Sequence, residues 1–216
     1  MGTAHDAFAP RHRPSGYPRA VLKIVITRGV SGRGYATVGA GDPTRILTLA
    51  SWPDYPQAFA RDGVSICVCE TLLSRNPALA RIKHLNRLEQ ILARAEWRTE
   101  YADGVMCDDR GNVVECTMSN IFLVSDGQLH TPEIVACGVE GVMRAAVLDA
   151  AKQLNIRVHV GKVTVDDLRN AEEMFLTNSL IGIWPVRQLQ DNDYVIGPVT
   201  QKIQQGIREA HCFDRL

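Results

Sequence analysis

The chain of 216 residues is long enough to bury a substantial core as a single domain. Its 24 basic residues equal its 24 acidic residues, so net charge gives no attraction to nucleic acid or to an anionic membrane surface. Six cysteines form no Cys-x-x-Cys pair and show no zinc spacing, and most lie in apolar runs typical of buried thiols in a reducing cytosol. We therefore expect a cytoplasmic protein that acts on small molecules, with no metal, nucleic-acid or membrane partner.

Residues 1–20 have no hydrophobic periodicity and no apolar signal-peptide core, so we expect a disordered leader there. The β-branched run at 21–27 is typical of a buried strand, and further strands are predicted at 45–51, 64–69, 156–160 and 173–177. Two hairpins are predicted with turns at 108–112 and 125–128, and helices are predicted over 86–101, 141–154, 165–171 and 198–211. Strands that arrive mostly as hairpins, with helices between them, predict an α+β fold with a mixed sheet.

Lys83 lies in the string Lys83-His84-Leu85-Asn86-Arg87-Leu88, where an extended segment ends and a helix is predicted to begin. An amine in an apolar setting has a lowered pKa, which suits attack on a carbonyl group. A lone lysine at a helix start is usually a surface residue, so only the neighbouring motifs favour catalysis. His84 could relay protons, although a structural histidine is the more common case.

Glu115 lies 32 positions after Lys83, within Val113-Val114-Glu115-Cys116. A carboxylate facing the ring nitrogen of pyridoxal phosphate keeps that ring protonated, while a lysine can form a Schiff base with the cofactor aldehyde. Ser119 and Asn120 follow closely and could orient this carboxylate or bind the ring. A glutamate on a strand is usually exposed to solvent, so the prediction for Glu115 depends on its pairing with Lys83.

Two segments could bind a phosphate group. Gly138 to Arg144 contains glycines and opens a predicted helix, so the backbone N–H groups of Val142 and Met143 are candidate donors. Thr177-Asn178-Ser179 ends a predicted strand and offers hydroxyl and amide donors. A third glycine-rich stretch, Gly29 to Tyr35, lacks the spacing of a dinucleotide or P-loop motif, but its Arg33 could bind a substrate carboxylate.

The strings around Lys83, Glu115, Gly138–Arg144 and Asn178 closely resemble those of the aminodeoxychorismate lyases. These enzymes belong to the fold-type IV pyridoxal-phosphate class, together with branched-chain and D-amino-acid aminotransferases. The resemblance runs from about residue 21 to the last helix. It implies the large domain of that class, with a mixed sheet or pseudo-barrel flanked by helices.

The resemblance also implies roles for individual residues. Lys83 would be the catalytic Schiff-base lysine. The residues implied to bind pyridoxal 5'-phosphate are Lys83, Arg87, Glu115, Ser119, Asn120, Val142, Met143, Asn178 and Ser179, with Arg87 near the cofactor's phenolic oxygen. Arg33 and Asn178 are the candidates for the carboxylates of the substrate, 4-amino-4-deoxychorismate.

Members of the class carry an N-terminal small domain ahead of the strand that matches 21–27, and they are homodimers. We therefore expect residues 21–216 to be the cofactor-binding large domain without the small domain, in a chain that dimerises. The implied reaction converts 4-amino-4-deoxychorismate to 4-aminobenzoate and pyruvate in folate biosynthesis. Two alternatives stay open, namely a fold-type IV aminotransferase and an inactive cofactor-domain remnant.

Overall fold

The computed structural model describes residues 19–211, with side chains described to residue 209. The described residues form two compact units, one that ends at Tyr55 and one that begins at Pro56. In the first unit, strand β1 (Ala20–Ile26) pairs antiparallel with β2 (Arg45–Ser51), from Ala20 opposite Ser51 to Ile26 opposite Arg45. Both strands were predicted, and the predicted leader up to residue 18 lies outside the described residues. The prediction that 21–27 is buried is wrong, because a two-stranded ribbon cannot cover its own faces and Leu22 and Ile24 are about half exposed.

The second unit contains the remaining helices and strands. In chain order these are α1 (Ala58–Asp62), β3 (Val64–Val68), α2 (Leu88–Arg94), β4 (Asp103–Cys107), β5 (Val113–Cys116), β6 (Asn120–Ser125), β7 (Gln128–Pro132), α3 (Val142–Gln153), β8 (Val158–Gly161), α4 (Val165–Arg169), β9 (Glu173–Asn178), β10 (Gly182–Leu189), β11 (Asn192–Asp193) and α5 (Pro198–His211).

The nine strands of this unit form one mixed sheet in the order β5-β4-β3-β10-β9-β6-β7-β8, with β11 beside β10. Three pairs are parallel (β10–β3, β3–β4 and β7–β8) and the others are antiparallel. The sheet curls so that its two edge strands, β5 and β8, come together. Val113 at the start of β5 donates a hydrogen bond to the carbonyl of Val163, just after β8. The predicted α+β fold with a mixed, barrel-like sheet is confirmed.

Two buried clusters fill the unit. In one, α3 and α5 pack on the sheet, and Phe122 of β6 stacks on Phe175 of β9 with ring centroids 5.0 Å apart. In the other, Trp97, Met106 and Val114 pack with Cys67 of β3 and with Cys69 just after it. The first cluster anchors the helix whose N-terminus contributes to the site, while the second lies beneath β5, which carries Glu115.

Helix α2 is shorter than predicted and less buried. The prediction over 86–101 assumed a buried apolar face, but only Ala93 is buried, and Leu88, Ile91 and Leu92 are 61–66% exposed. The helix ends at Arg94 because the Arg94 guanidinium donates to the carbonyls of Trp97 and Arg98, which turns the chain. The described chain contains no helix long and apolar enough to cross a membrane.

Strand β10 was not predicted, because Pro185 in its middle is typical of a break. Pairing of β10 with β3 begins only at Val186, so the missing N–H of Pro185 costs no bond to that neighbour. Helix α1 and the two-residue β11 were also missed. The other predicted elements are confirmed, with ends displaced by a few residues.

Candidate cofactor site

The loop from Gly138 to Gly141, just before α3, connects the parts of the site. Arg81 forms a parallel bridge with Val139: its N–H donates to the Gly138 carbonyl at 2.9 Å, and its own carbonyl accepts from Glu140 N at 3.2 Å. This bridge fixes the chain two residues before Lys83 beside the loop. These backbone hydrogen bonds join Arg81 and Val139, which are more than fifty residues apart in the sequence. No sequence motif indicates this pairing.

Glu115 faces the same loop from β5. Its side chain is buried, and its Oε2 accepts a hydrogen bond from Val139 N at 2.8 Å. Burial raises the pKa of the Glu115 carboxyl to about 7, against the opposing effects of that hydrogen bond and of the positive charges of Arg87 and Lys83. Both cations therefore lie close enough to act on this carboxyl, while the joint role of Lys83 and Glu115 at one cofactor stays a prediction.

Lys83 itself is exposed, so the expectation of a buried amine in an apolar setting is wrong for the described chain. The apolar neighbours that suggested burial are also exposed: Leu79, Ile82, Leu85 and Leu88. Residues 82–87 belong to no helix or strand of the described chain, and Lys83 lies in this exposed loop. The amine is therefore accessible to a ligand.

Arg87 holds the backbone on both sides of Lys83. Its Nε donates to the carbonyl of His84 at 3.0 Å, and its Nη2 donates to the carbonyl of Ile82 at 3.3 Å. A planar guanidinium can bridge two carbonyls in this way, whereas a lysine ammonium presents a single point charge. The predicted position of Arg87 near the cofactor's phenolic oxygen stays a prediction, as does the proton relay by His84, whose Nδ1 is buried without a partner among residues 19–211.

Asn120 holds the loop in place. Its Nδ2 donates to the Val139 carbonyl at 2.9 Å, and its Oδ1 lies so near Gly141 that a Cβ at that position would overlap it. Gly138 has a left-handed backbone with φ of 89°, and a Cβ there would lie 2.6 Å from a methyl of Val114. Both glycines are therefore required by close packing, and Asn120 contacts the loop where an interaction with the Glu115 carboxylate was predicted.

Ser119 serves a different carboxylate. Its hydroxyl donates to Asp103 Oδ2 at 2.7 Å, and Asp103 Oδ1 accepts from the Thr117 hydroxyl at 2.6 Å and from Gly104 N at 2.9 Å. The Ser119 hydroxyl thus binds Asp103 in the described chain, and its role toward Glu115 or the cofactor ring stays a prediction. Burial raises the pKa of the Asp103 carboxyl. Asp103 was not predicted to be a buried residue, because an Asp-Gly pair is typical of an exposed turn.

The first turn of α3 presents free backbone donors. The first N–H with a partner is that of Ala145, which donates to the Gly141 carbonyl at 3.0 Å, and no side chain caps the helix. Within the described chain, the N–H groups of Val142, Met143 and Arg144 have no such partner. Three open N–H groups at the positive end of a helix dipole form a site for an anion such as phosphate.

The remaining predicted residues make other contacts. The Asn178 side chain accepts from Leu180 N and Ile181 N at 2.8 and 3.0 Å and donates to the Met118 carbonyl at 3.0 Å, so it holds a turn. Ser179 is exposed, and phosphate or substrate binding by this pair stays a prediction. Arg33 belongs to the first unit, on the exposed loop between β1 and β2, and its substrate role also stays a prediction.

The groups present fit pyridoxal phosphate, the cofactor expected from the sequence. Open N–H groups at the start of α3 suit its phosphate, and the accessible Lys83 amine suits its aldehyde. The buried Glu115 carboxyl has no ion pair within the described chain. A protonated ring nitrogen would supply that missing cation. In the same part of the chain, no group of three or more His, Cys, Asp or Glu side chains could hold a metal ion.

Comparison with known proteins gives consistent matches. The aminodeoxychorismate lyase of Vibrio harveyi is 40% identical over 190 residues, which are 86% of this chain and 70% of that protein. The crystal structure of 4-amino-4-deoxychorismate lyase from Pseudomonas aeruginosa superposes with a TM-score of 0.85 and 43% identity, covering 88% of this chain and 71% of that one. A putative branched-chain-amino-acid aminotransferase of Methanocaldococcus jannaschii is 32% identical over 197 residues, covering 88% of this chain and 67% of that protein.

The family model described as amino-transferase class IV matches residues 7–189, which include β1 and β2 and nearly all of the curled sheet. The matched residues contain Lys83, Glu115 and the start of α3. The extent of this match and the similarity to solved relatives establish that the chain belongs to the amino-transferase class IV family.

Proposed function

We propose that this chain is a pyridoxal-phosphate-dependent aminodeoxychorismate lyase. It would convert 4-amino-4-deoxychorismate to 4-aminobenzoate and pyruvate in folate biosynthesis. The observation that carries the proposal is the convergence of Lys83, Glu115 and the open N-terminus of α3 on one loop. The similarity to two aminodeoxychorismate lyases, at 40% and 43% identity, favours this reaction over others in the family.

When bound, pyridoxal phosphate supplies an electron-accepting ring that stabilises negative charge on the carbon bearing the substrate's amine. Lys83 provides the amine that would hold the cofactor aldehyde, and Lys83 Nζ would accept the proton from the carbon that bears the substrate nitrogen. The carbon–oxygen bond to the enolpyruvyl group then breaks, enolpyruvate takes up a proton to become pyruvate, and the ring of the product becomes aromatic.

The other residues orient the Lys83 amine and offer hydrogen-bonding groups to the cofactor. The Glu115 carboxylate would accept a hydrogen bond from the ring nitrogen of the cofactor and keep that nitrogen protonated. The N–H groups of Val142 and Met143 would hold its phosphate. Arg87 holds the carbonyls on both sides of Lys83, which limits the positions that the amine can take.

The proposal is tested by measuring pyruvate release from 4-amino-4-deoxychorismate by the purified chain supplied with pyridoxal phosphate. We expect turnover that is lost in Lys83→Ala and retained in Lys152→Ala, which removes an exposed lysine from the last turn of α3. Release that persists in Lys83→Ala, or no release by a folded chain that binds the cofactor, would contradict the lyase proposal.

An aminotransferase is the second candidate, because the relative from Methanocaldococcus jannaschii is described as a putative branched-chain-amino-acid aminotransferase. The same Lys83 and Glu115 would serve that reaction. Formation of glutamate from 2-oxoglutarate and a branched-chain or D-amino acid, without pyruvate release from the lyase substrate, would select it. A chain that binds the cofactor and gives neither product would support the inactive alternative.

The proposal extends to the setting of the enzyme. We propose that residues 21–216 form the cofactor-binding part, that the chain acts in the cytoplasm, and that it works as a homodimer. Exposed apolar side chains on α2 are consistent with a subunit contact. Sedimentation equilibrium of the purified chain tests the dimer, and a monomer at micromolar concentration would contradict it.

A further inference from the structure

Asp103 begins β4 as a fully buried carboxyl group, and within the described chain it takes part in no ion pair. Its oxygens instead accept from the Thr117 hydroxyl at 2.6 Å, from the Ser119 hydroxyl at 2.7 Å and from Gly104 N at 2.9 Å. Burial raises the pKa of this carboxyl, and these hydrogen bonds oppose the rise. Burying an ionisable group is unfavourable unless its hydrogen bonds are made, so Asp103 is tolerated only in the geometry that these donors define.

Two of the three donors lie in one tight turn, residues 116–119. Backbone hydrogen bonds close this turn, because Cys116 N donates to the Ser119 carbonyl at 2.7 Å and Thr117 N donates to the Gly104 carbonyl at 3.0 Å. The two hydroxyls that donate to Asp103 lie on either side of Met118, so the turn wraps around the carboxyl group. Without that carboxyl, both hydroxyls would lose their acceptor and the turn would lose its side-chain anchor.

The residues at the two ends of this turn hold the same peptide segment. Glu115 precedes the turn, and its Oε2 accepts from Val139 N at 2.8 Å. Asn120 follows the turn, and its Nδ2 donates to the Val139 carbonyl at 2.9 Å. A displacement of the turn would therefore move both side chains that fix Val139.

The position of Val139 matters for the rest of the candidate site. Val139 is bridged to Arg81, two positions before Lys83, and it lies three positions before the open N–H group of Val142. A shift of Val139 would thus move the phosphate donors of α3 relative to the Lys83 amine. A displacement of about 1 Å in such a site is enough to lower activity about a hundredfold.

From these contacts we propose that Asp103 is a positioning residue of the cofactor site. By anchoring the turn 116–119, it sets the positions of Glu115 and Asn120 and, through them, the loop 138–141. Asp103 acts through the turn and is not assigned a contact with the cofactor or the substrate. The inference rests on the proposed cofactor site and adds a buried residue on which that site depends.

The test is amide hydrogen exchange of Val139, followed by NMR on the full chain without cofactor. The Val139 exchange rate is divided by the mean rate of the protected amides of β10, which corrects for any change in global stability. We expect this ratio to rise about tenfold in Asp103→Ala, because Glu115 and Asn120 are no longer held against Val139. Glu115→Ala, which removes the acceptor itself, sets the largest rise to be expected.

Two further variants separate positioning from a loss of stability. Glu173→Ala also removes a buried carboxylate, which accepts from Val199 N and Thr200 N at the start of α5, and it should leave the Val139 ratio unchanged. Asp103→Asn keeps an oxygen for the Thr117 hydroxyl and Gly104 N and an amide that can donate to the Ser119 oxygen, so the ratio should stay within about twofold of wild type. If Asp103→Ala does not fold, Thr117→Val removes one donor at nearly constant volume and should raise the ratio about threefold.

Cofactor binding provides a second measurement. The dissociation constant for pyridoxal phosphate, from an absorbance titration, should rise about tenfold in Asp103→Ala and stay at the wild-type value in Glu173→Ala. Equal affinity in Asp103→Ala and wild type would overturn the connection between this turn and the cofactor.

The exchange measurement refutes the inference in either of two cases: if the Val139 ratio in Asp103→Ala equals that of wild type, or if it rises equally in Glu173→Ala. Because this measurement needs no cofactor, it is independent of the proposed function. A folded wild-type chain that binds no pyridoxal phosphate would overturn the proposed function, whereas an unchanged Val139 ratio would overturn only the role of Asp103.

Discussion

Replacing Glu115 by glutamine should stabilise the cofactor-free chain, although it removes a residue proposed to be essential for activity. Burial raises the pKa of this carboxyl from 4.5 to about 7, so the ionised form is disfavoured in the folded state. At about 1.4 kcal/mol for each factor of ten in the proton equilibrium, the ionised carboxylate costs about 3 kcal/mol of folding stability. Glutamine keeps an oxygen that can accept from Val139 N and carries no charge.

The sign of the pH dependence follows from the raised pKa. The folded state holds its proton more tightly than the unfolded state, so the wild-type chain loses stability as pH rises from 4.5 toward 7, and the full cost remains above pH 7. Glu115→Gln should therefore be more stable than wild type by about 3 kcal/mol near about pH 8 and by less than about 1 kcal/mol near about pH 5.

Urea unfolding of the wild type and the variant at these two pH values measures the difference directly. Glu70→Gln, at an exposed position, is the matched control and should give no pH-dependent difference from wild type. A Glu115→Gln variant that is equally stable at both pH values, or less stable than wild type near about pH 8, would refute the account of a desolvated carboxyl. Loss of activity in the stabilised variant would confirm that Glu115 is kept for function.

Three further substitutions test the packing that positions the site. The lysine in Arg87→Lys cannot bridge the two carbonyls beside Lys83, so we expect the affinity for pyridoxal phosphate, measured by absorbance titration, to fall about tenfold. Unchanged affinity would show that these two hydrogen bonds do not position Lys83. Gly141→Ala would overlap Asn120 and should lower unfolding free energy in urea by about 1–3 kcal/mol, an effect that a neutral result would contradict. Glu173→Ala removes the carboxylate that accepts from two N–H groups in the first turn of α5, so it should lower the unfolding free energy in urea by about 1–3 kcal/mol. It should also speed hydrogen exchange in α5, and wild-type protection of that helix would show that Glu173 does not hold it in place.

The sequence predicted the turns and helix starts that depend on residues close to one another in the chain. The turns at 108–112 and 125–128 have the polar and glycine residues that hairpins require, and both hairpins form. The glycines before α3 predicted its start, which the structure places at Val142. These features depend on neighbours within a few residues, which is the range over which sequence patterns are informative.

Features that depend on distant contacts were not predictable in this way. Leu88, Ile91 and Leu92 are exposed in the described chain, although their helical spacing predicted a buried face. Spacing shows which side chains share a face of a helix, but not whether another segment covers that face. Ser119 was assigned to Glu115 from proximity in sequence, but its partner is Asp103, sixteen residues earlier and buried. The bridge between Arg81 and Val139 is likewise long-range, yet it is what brings Lys83 to the loop before α3.

The most direct test of the central claim is to identify the lysine that binds the cofactor. The chain is incubated with pyridoxal phosphate, reduced with borohydride and digested, and the labelled peptide is identified by mass spectrometry. The sequence contains five lysines: Lys23, Lys83, Lys152, Lys162 and Lys202. The account predicts one labelled peptide, containing Lys83, and no label in Lys83→Ala. A label spread over the other lysines, or one that survives in Lys83→Ala, would contradict it.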